Sequence, residues 1–270
     1  MRKRARITIT LDQKLLEKVD QLKLKHKVDS RSQMIEKLLS RSLKPEVNTA
    51  VILAGGSDQK GKMLLKKIAD RYLFGIMMQH LKEFGIEKIV VLTTPEIKPL
   101  LKERFGNGQE FDLELVYVGE SKPLGTAGAL KNADYLIGGK PFLVVHGDVL
   151  TDLNLHDFFE FHLREGVEVT IGVKPRMGEK KYGQVFLQGN KIIRFLKTST
   201  NEGISIINTG LYVINPSILK RIPPNQTVFL ETDIFPKLAS EGKLGAFIFQ
   251  GAWFDISDRE SLMEAMIKWR

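Results

Sequence analysis

The residues that most constrain this chain are an apolar run followed by two glycines, at residues 50–56. Five apolar residues ending in Ala54 predict a short buried strand of the kind found in parallel sheets. Gly55 and Gly56 allow a sharp turn and a close approach of the backbone to a ligand. An amphipathic helix pattern follows at residues 73–84. This order favours a phosphate-binding turn, because backbone N–H groups converge there, and a plain turn is the alternative.

Composition indicates a globular protein without disulfides. The 270 residues are 43% hydrophobic and include no cysteine, which excludes disulfides and thiolate metal sites. No apolar run approaches the ~18 residues of a membrane span, and no apolar segment of a signal peptide follows the basic first residues. We therefore expect a cytoplasmic protein that does not interact with membranes and is long enough for two domains.

Positive charge is concentrated near the amino terminus. Residues 1–46 contain 13 Lys and Arg against 6 Asp and Glu, whereas the remaining residues contain 28 against 26. A basic head (residues 1–46) on a nearly neutral body (residues 47–270) is typical of a nucleic-acid-binding module joined to another domain. A solvated, lysine-rich helix surface is the alternative.

The pattern of the head predicts one strand and two helices. Side chains of residues 4–11 alternate strictly between apolar and polar, which predicts a half-buried strand with a cationic outer face. Asp12 is a good N-cap for a first helix, and Ser30, with Gln33 three residues later, fits the start of a second. Such a unit is too small to fold alone, so we expect a homodimer in which two strands pair. The sequence does not decide whether such dimers assemble into a larger oligomer.

This arrangement resembles the ribbon-helix-helix family of DNA-binding proteins over residues 4–43. The resemblance implies a two-stranded ribbon that enters the major groove of double-stranded DNA, while the start of the second helix holds a phosphate. The DNA-contacting residues that it implies are Arg4, Arg6, Thr8 and Thr10 on the ribbon and Ser30, Arg31 and Ser32 on the helix. A ribbon used for dimerisation without DNA is the alternative, although it would not need outward arginines.

Apolar runs alternate with helical patterns along the body. This alternation predicts an α/β fold with a mostly parallel, doubly wound (Rossmann-like) sheet and additional β structure. After the first strand, further strands are predicted at residues 89–93, 113–118, 142–146, 167–173, 183–187, 192–196 and 211–214. Further helices are predicted at residues 126–135, 155–165 and 258–268.

Four stretches of the body carry a second resemblance. They are residues 50–56, residues 123–130, residues 142–152 and a final series at 208–210, 231–233 and 251–256. In this order and spacing they resemble the sugar nucleotidyltransferases, the NDP-sugar pyrophosphorylase family. The resemblance implies that a sugar 1-phosphate attacks the α-phosphorus of an NTP, and Mg²⁺ is the one cofactor that it implies.

The resemblance also implies site residues. Asp148 and Asp255 would be the metal carboxylates, with Asp148 at the carboxyl end of a strand. Residues 125–128 would contact base and ribose, and Asn208 and Thr209 would face the sugar. Lys197 would contact the sugar phosphate. The full ligand-binding set is Ala54, Gly55, Gly56, Lys62, Gly125, Thr126, Ala127, Gly128, Asp148, Lys197, Asn208, Thr209 and Trp253.

The segment after the glycines departs from this family pattern. The family loop continues with Gly-Thr-Arg and later Pro-Lys-Pro, whereas residues 57–62 form a shorter loop, Ser-Asp-Gln-Lys-Gly-Lys. Lys62 would have to stand for the Pro-Lys-Pro lysine, or Lys60 for the missing arginine. Leu196 also stands where a sugar-contacting Glu precedes the lysine. Removing one charge-stabilising donor costs ~10²–10³ in rate, so we expect negligible turnover and assign no catalytic residue.

Three functional hypotheses follow. The first is a DNA-binding transcriptional regulator whose body senses a nucleotide, an NDP-sugar or a sugar phosphate. The second is a working sugar-1-phosphate nucleotidyltransferase that also binds DNA. The third is a body that has lost ligand binding and serves only for assembly.

Overall fold

The structure is a computed structural model that describes residues 8–25, 28–42, 47–177, 181–198 and 203–269. The chain divides into two compact units, Met1–Pro45 and Glu46–Arg270. This division lies next to the boundary expected from the change in charge at residue 46. No helix in the described ranges has the length and apolar character that a bilayer crossing requires.

The described part of the head contains two helices, α1 (Gln13–Lys25) and α2 (Arg31–Ser42). Both predicted caps are present: the Leu15 amide donates to the Asp12 carboxylate at 3.0 Å, and the Gln33 amide donates to the Ser30 hydroxyl at 3.2 Å. These bonds satisfy amides that have no partner within the first turn of each helix.

The two helices of the head contact each other, and one side chain of each is buried: Val19 is 4% exposed and Met34 is 1% exposed. The strand predicted at residues 4–11 lies partly outside the described residues. Its described part, residues 8–11, has no assigned secondary structure in the single chain.

The body begins with a strand, as predicted, and contains thirteen strands in its described residues. They are β1 (Thr49–Ala54), β2 (Lys67–Ile68), β3 (Arg71–Tyr72), β4 (Lys88–Thr93), β5 (Glu114–Gly119), β6 (Phe142–His146), β7 (Val149–Thr151), β8 (Val169–Met177), β9 (Gln184–Gln188), β10 (Lys191–Leu196), β11 (Ile204–Ile214), β12 (Leu244–Ile248) and β13 (Trp253–Asp255).

Nine of these strands form one sheet in the order β5-β4-β1-β6-β11-β8-β12-β10-β9. Strands β5, β4, β1 and β6 are mutually parallel, and β12 runs parallel to β8. Strand β11 runs antiparallel to β6 and β8, and β10 runs antiparallel to β9. The sheet is therefore a parallel α/β block extended by an antiparallel part, as the alternating pattern predicts.

Helices cover both faces of this sheet. They are α3 (Asp58–Met63), α4 (Leu73–Glu83), α5 (Ile97–Phe105), α6 (Gly125–Asn132), α7 (Asp134–Ile137), α8 (Leu155–Glu165), α9 (Phe235–Ser240) and α10 (Arg259–Lys268). Along β1, Ala50 and Ile52 belong to one hydrophobic core, whereas Val51 and Leu53 belong to the other. A strand buried on both faces reads as an unbroken apolar run, and such a sheet is doubly wound.

The structure changes two local predictions. Residues 57–62 are not a loop, because Ser57 caps the short helix α3 through the Lys60 amide at 3.4 Å. The helix predicted at residues 126–135 is two helices, α6 and α7, separated at Ala133.

Candidate functional site

The carboxyl ends of the parallel strands border a cavity of about 490 Å³, here called the Asp148 cavity. This is where ligands bind in open α/β sheets. Its lining residues are Lys60, Thr126, His146, Asp148, Val149, Lys181, Tyr182, Gly183, Lys197, Asn208, Thr209, Gly210, Phe229, Glu231, Thr232, Trp253, Asp255 and Ser257. Residues far apart in the chain thus meet at one place, including both predicted metal carboxylates.

A two-stranded ladder brings Asp148 and Asp255 together. Strand β13 pairs antiparallel with β7 so that Asp255 lies opposite Val149, the residue after Asp148. The Ile256 amide donates to the Asp148 carbonyl at 2.7 Å, which fixes this pairing beyond the strand ends. Two carboxylates that line one cavity suit Mg²⁺, which binds proteins through one or two carboxylates together with substrate phosphates.

Gly147 allows the chain to place Asp148 at the wall. The Gly147 amide donates to the Leu53 carbonyl at 2.9 Å. A Cβ atom at Gly147 would lie 2.9 Å from the Cβ of Ala54, which is closer than carbon atoms pack. Only glycine fits between β1 and Asp148 without moving one of them.

A bulge in β11 forms the opposite wall. The register between β11 and β8 shifts between Asn208 and Tyr212, and Gly210 has a left-handed φ of 76°. Bulges of this kind redirect side chains and occur next to binding sites. Asn208 lines the cavity and donates to the Tyr212 hydroxyl at 2.9 Å. The Thr209 hydroxyl instead donates to the Gly172 carbonyl at 2.6 Å, so this predicted sugar contact has its proton committed within the fold.

Glu231 lies at the centre of a polar network that the sequence did not reveal. Its carboxylate accepts from the Thr126 hydroxyl at 2.7 Å and lies 3.6 Å from His146 Nε2. Burial raises the pKa of Glu231, but the hydrogen bonds and charge of His146 and the hydroxyl of Thr126 outweigh it and hold the pKa below its ordinary value. Burial and the nearby Glu231 charge raise the pKa of Tyr212 well above its ordinary value. Glu231 is therefore a carboxylate at neutral pH, and Tyr212 is a neutral hydroxyl.

Three lysines bring positive charge to the Asp148 cavity: Lys60, Lys181 and Lys197. The ammonium of Lys197 lies 5.7 Å from the centre of the Phe229 ring, and Lys181 forms a 3.4 Å ion pair with Asp258. Lys62, a predicted ligand contact, is exposed on α3 and lines neither of the cavities described here. Lys60, two residues earlier on α3, is the lysine of this segment that lines the Asp148 cavity.

A second cavity of about 290 Å³, here called the Glu120 cavity, adjoins the glycine turn. Its lining residues are Leu53, Gly55, Gly56, Ser57, Lys60, Leu92, Glu120, Pro123, Gly125, Thr126, Ala129, His146 and Phe229. The two cavities share Lys60, Thr126, His146 and Phe229. They therefore form one continuous binding trough with a polar junction.

Of the four residues that were expected to contact base and ribose, only the first two line this trough. Gly125 and Thr126 line the Glu120 cavity, whereas Ala127 and Gly128 are buried behind them. The amides of Ala127 and Gly128 both donate to the Val228 carbonyl at 3.0 Å. Because these donors are already used, they are not free to bind a ligand.

The remaining predicted contacts divide in a similar way. Gly55 and Gly56 line the Glu120 cavity, whereas Ala54 is fully buried behind them. Trp253 lines the Asp148 cavity, and its indole N–H donates to the Thr209 carbonyl at 2.9 Å. Its ring therefore offers a ligand an apolar surface and no free donor.

Glu120 is a wall residue that sequence reasoning missed. It follows β5 directly and is 8% exposed, and its Oε1 atom is buried without a hydrogen-bond partner among the described residues. Burial raises the pKa of Glu120 to about 7. Its position immediately after a parallel strand, at the edge where ligands bind, was the one signal in the sequence.

The predicted DNA-contacting residues of the head differ in their exposure and in the partners that they already have. Thr8, Thr10 and Ser32 are exposed, and the Ser30 hydroxyl is engaged in capping α2. Arg31 forms a bidentate ion pair with Asp20 at 2.7 and 2.8 Å. The remaining two residues of the set, Arg4 and Arg6, lie outside the described residues.

Residues 49–270 match the family model described as "Nucleotidyl transferase". The chain belongs to the nucleotidyl transferase family. Residues 5–44 match the model described as "Ribbon-helix-helix protein, copG family", so the family domain is preceded by a ribbon-helix-helix domain. Both predicted resemblances are confirmed.

The chain is also similar in sequence to named relatives. A mannose-1-phosphate guanyltransferase of Aspergillus fumigatus is 30% identical over 228 residues, which cover 79% of this chain and 62% of the relative. A probable mannose-1-phosphate guanylyltransferase 2 of Arabidopsis thaliana is 33% identical over 222 residues, covering 77% and 61%. The chain thus spans about three fifths of the length of the curated relatives that it matches.

Solved structures share the fold. HddC from Yersinia pseudotuberculosis is 24% identical with a TM-score of 0.72, covering 83% of this chain and 100% of HddC. A structure of HddC "complexed with GMP-PN" has a TM-score of 0.71 at the same identity and coverage. A putative glucose-1-phosphate thymidylyltransferase from Bacillus anthracis is 21% identical with a TM-score of 0.73, covering 81% and 94%.

Proposed function

We propose that this chain is a homodimeric DNA-binding regulator whose nucleotidyl transferase domain binds a nucleotide, an NDP-sugar or a sugar phosphate. The observation that carries the proposal for the body is the continuous trough formed by the Asp148 and Glu120 cavities. A nucleoside joined to a sugar through phosphates has the same two-part shape. Its anionic connecting group would lie at the shared residues, where Lys60 supplies positive charge.

The segment after the glycines favours binding without rapid turnover. It folds as helix α3, and the described lining of neither cavity includes an arginine. Transfer of a nucleotidyl group places extra negative charge on the leaving pyrophosphate, which a guanidinium stabilises well. A single lysine at the junction can hold a diphosphate but provides less of this stabilisation.

Asp148 and Asp255 would hold a Mg²⁺ ion in this trough, and the ion would bind ligand phosphates. The β7–β13 pairing, which brings their backbones close, and their shared cavity support this assignment. Asp255 Oδ1 accepts from the Ser257 amide at 3.0 Å and from its hydroxyl at 2.5 Å, which orients the carboxylate. No group of three or more His, Cys, Asp or Glu that could hold a metal occurs among the described residues, so the ligand would complete the coordination.

The head supports the DNA-binding and dimeric part of the proposal. Leu15 and Leu24 on α1 are 45% and 76% exposed, and Ile9 is 48% exposed. Apolar side chains exposed to this extent on a unit of two helices call for a covering partner. A second copy of the head would cover them and pair the two strands into a ribbon.

A second candidate is an active sugar-1-phosphate nucleotidyltransferase. One cavity brings together two carboxylates and the lysines Lys60 and Lys197, which are the groups that nucleotidyl transfer requires. The two named guanylyltransferases at 30% and 33% identity also favour this candidate.

Release of pyrophosphate separates these two candidates. The full chain is incubated with Mg²⁺, each of the four NTPs and a panel of sugar 1-phosphates, and pyrophosphate is measured by a coupled assay. We expect no turnover above background. A rate of about 1 s⁻¹ with any pair, an ordinary rate for an enzyme, would instead establish the transferase. Thermal shifts with NDP-sugars test the ligand-binding role, and no shift with any of them would leave the body an assembly domain.

The DNA-binding role is tested on the full chain with a pool of random duplexes. We expect enrichment of one motif, and a log–log salt dependence with a slope of about −4 to −8 for a dimer. Arg6→Ala should cost about 1–3 kcal/mol on the selected site and much less on random DNA. Arg259→Ala, which removes an exposed arginine of the body, is the matched control. Absence of enrichment would show that the head serves dimerisation only.

A further inference from the structure

Strand β13, which carries Asp255, is joined to the rest of the body by a short ladder. It pairs with β7 over three residue pairs, in a two-stranded sheet that is separate from the nine-stranded one. A pair of strands this short is marginally stable by itself. Residues 249–252, here called the connecting segment, lead into β13 and form neither helix nor strand. The position of Asp255 therefore depends on the contacts that hold this segment.

Lys174 on β8 holds the connecting segment against the nine-stranded sheet. It is 9% exposed, and its ammonium donates to the Gly251 carbonyl at 2.8 Å and to the Phe249 carbonyl at 3.3 Å. The ammonium also lies 4.6 Å from the centre of the Phe249 ring, a distance at which a cation is attracted to a ring face. A buried ammonium costs free energy unless its donors are paired, and the backbone of this segment supplies the pairing.

Arg176 extends this set of contacts to the first residue of β13. Its Nη2 donates to the Trp253 carbonyl at 3.1 Å, and the guanidinium carbon lies 5.6 Å from the centre of the Trp253 ring. Because side chains alternate along a strand, Lys174 and Arg176 lie on the same face of β8. The two cations therefore bind the carbonyls of residues 249, 251 and 253, along the whole length of the connecting segment and into β13.

The other side of the connecting segment is held by residues at the end of β7. The Thr151 hydroxyl donates to the Ala252 carbonyl at 2.8 Å, and the Ala252 amide donates to the Asp152 carboxylate at 2.8 Å. Gly251 has a left-handed φ of 108°, and a Cβ atom there would collide with Asp152, so this turn requires glycine. The segment is thus bound from β7 on one side and from β8 on the other.

We propose that Lys174 and Arg176 are positioning residues of the metal site. By binding the connecting segment and the start of β13, they fix the backbone from which Asp255 reaches the cavity that it shares with Asp148. Neither cation belongs to the lining of that cavity, so they act through the backbone and do not touch the ion or the ligand. This inference rests on the proposed function, because it concerns the Mg²⁺ ion that the two carboxylates would hold.

Binding of Tb³⁺ to the full chain tests this role. Tb³⁺ is a hard cation that takes carboxylate oxygens as Mg²⁺ does, and its luminescence is excited by energy transfer from a nearby indole. Trp253 lines the same cavity, so the signal reports this site, and the affinity is read from the titration curve. Residues that orient metal ligands typically contribute 10–100-fold to metal affinity. We expect Lys174→Met, which keeps a long apolar stem without N–H donors, to bind Tb³⁺ about 10-fold more weakly.

The sign of the change separates positioning from an effect of charge. Removal of a positive charge near a metal site would by itself strengthen the binding of a cation, whereas loss of positioning weakens it. Lys191→Met, which removes an exposed lysine of β10, is the matched control and should leave the affinity unchanged. Arg176→Met is the second variant, because Arg176 is only half-buried and its replacement disturbs the core less. It should also weaken Tb³⁺ binding several-fold.

A further control separates positioning from a general loss of stability. Leu101→Ala removes a fully buried side chain of α5 and should lower the melting temperature without weakening Tb³⁺ binding well below that temperature. An equal loss of affinity in Leu101→Ala would overturn the positioning role. Unchanged or tighter binding in Lys174→Met would overturn it as well, and Arg176→Met decides in the same way if Lys174→Met does not fold.

Asp148→Ala distinguishes failure of this inference from failure of the proposed metal site. We expect this variant to lose the Trp253-excited signal. If the wild type binds Tb³⁺ no more tightly than Asp148→Ala does, the metal site is absent and the inference falls with it. If Asp148→Ala loses the signal and both Lys174→Met and Arg176→Met bind like the wild type, the metal site stands and the role of the two cations is refuted.

Discussion

Replacing Glu120 by glutamine should stabilise the body, and the gain should depend on pH. The carboxyl has an ordinary pKa of 4.5 and a pKa of about 7 in the folded chain, because burial disfavours its charge. Between these values the unfolded chain loses the proton and the folded chain keeps it. The contribution of this carboxyl to the free energy of unfolding is therefore fully present below pH 4.5 and is lost as the pH rises to about 7. The Glu120→Gln variant has no such group and does not show this loss.

The size of the effect follows from the shift. A difference of about 2.5 pKa units corresponds to at most ~3.4 kcal/mol at 1.36 kcal/mol per unit. The carboxyl lies at the wall of an open cavity, where water screens it, so we expect ~1–2 kcal/mol. For a domain of this size that corresponds to about 2–8 °C in melting temperature.

Urea denaturation followed by tryptophan fluorescence measures this difference, because both tryptophans, Trp253 and Trp269, belong to the body. Wild type, Glu120→Gln and the control Glu103→Gln, on the exposed face of α5, are compared at pH 5 and pH 8. The difference in unfolding free energy between Glu120→Gln and wild type is taken at each pH, and the value at pH 5 is subtracted from the value at pH 8. Any pH-independent cost of burying the amide cancels in this subtraction. The reasoning is refuted if the difference between Glu120→Gln and wild type is the same at both pH values, or if Glu103→Gln reproduces the change.

Three further predictions concern the head and the metal site. Ser30→Ala should destabilise α2 by about 1 kcal/mol through loss of its cap, seen as lower helicity on heating, and an unchanged thermal curve would contradict this role. Asp20→Asn should free Arg31 from its ion pair and raise DNA affinity several-fold at low salt, with a smaller gain at high salt. Equal affinity of variant and wild type in gel shifts would mean that Arg31 does not contact DNA. Asp148→Ala should weaken Mg²⁺-dependent binding of the best nucleotide at least about 10-fold in calorimetry, and undiminished binding would remove Asp148 from the metal site.

The sequence predicted most of the sheet, because central strands such as β1 and β6 are apolar runs buried on both faces. The strand at residues 142–146 and the helix at residues 155–165 match their observed bounds. Helix α3 could not be predicted in this way, since six residues containing a glycine carry no helical pattern. It forms because Ser57 caps it and because Gly61 packs against Ile97, where a Cβ atom would approach within 2.9 Å of the side chain.

The site was predicted where it depends on residue type next to a strand, and missed where it depends on tertiary surroundings. Asp148 and Asp255 follow recognisable stretches and line one cavity in the structure. Glu120 is distinguished by its burial and by an Oε1 atom that has no hydrogen-bond partner among the described residues. Neither property can be read from the sequence alone. The amides of Ala127 and Gly128 are likewise satisfied by Val228, which is 100 residues later in the chain from Gly128.

The pairing of β13 with β7 also sets the order in which the head and the Asp148 cavity can be completed during synthesis. The helices of the head are complete by residue 42, whereas Asp255 reaches its place beside Asp148 only after β13 has been made. At ~5–20 residues per second, translation of the intervening chain takes about 10–40 s. During this interval the whole head has been synthesised, whereas the Asp148 cavity lacks one of its walls. A chain that ends before β13 would therefore contain the head without the complete cavity that, in the proposed function, binds the ligand.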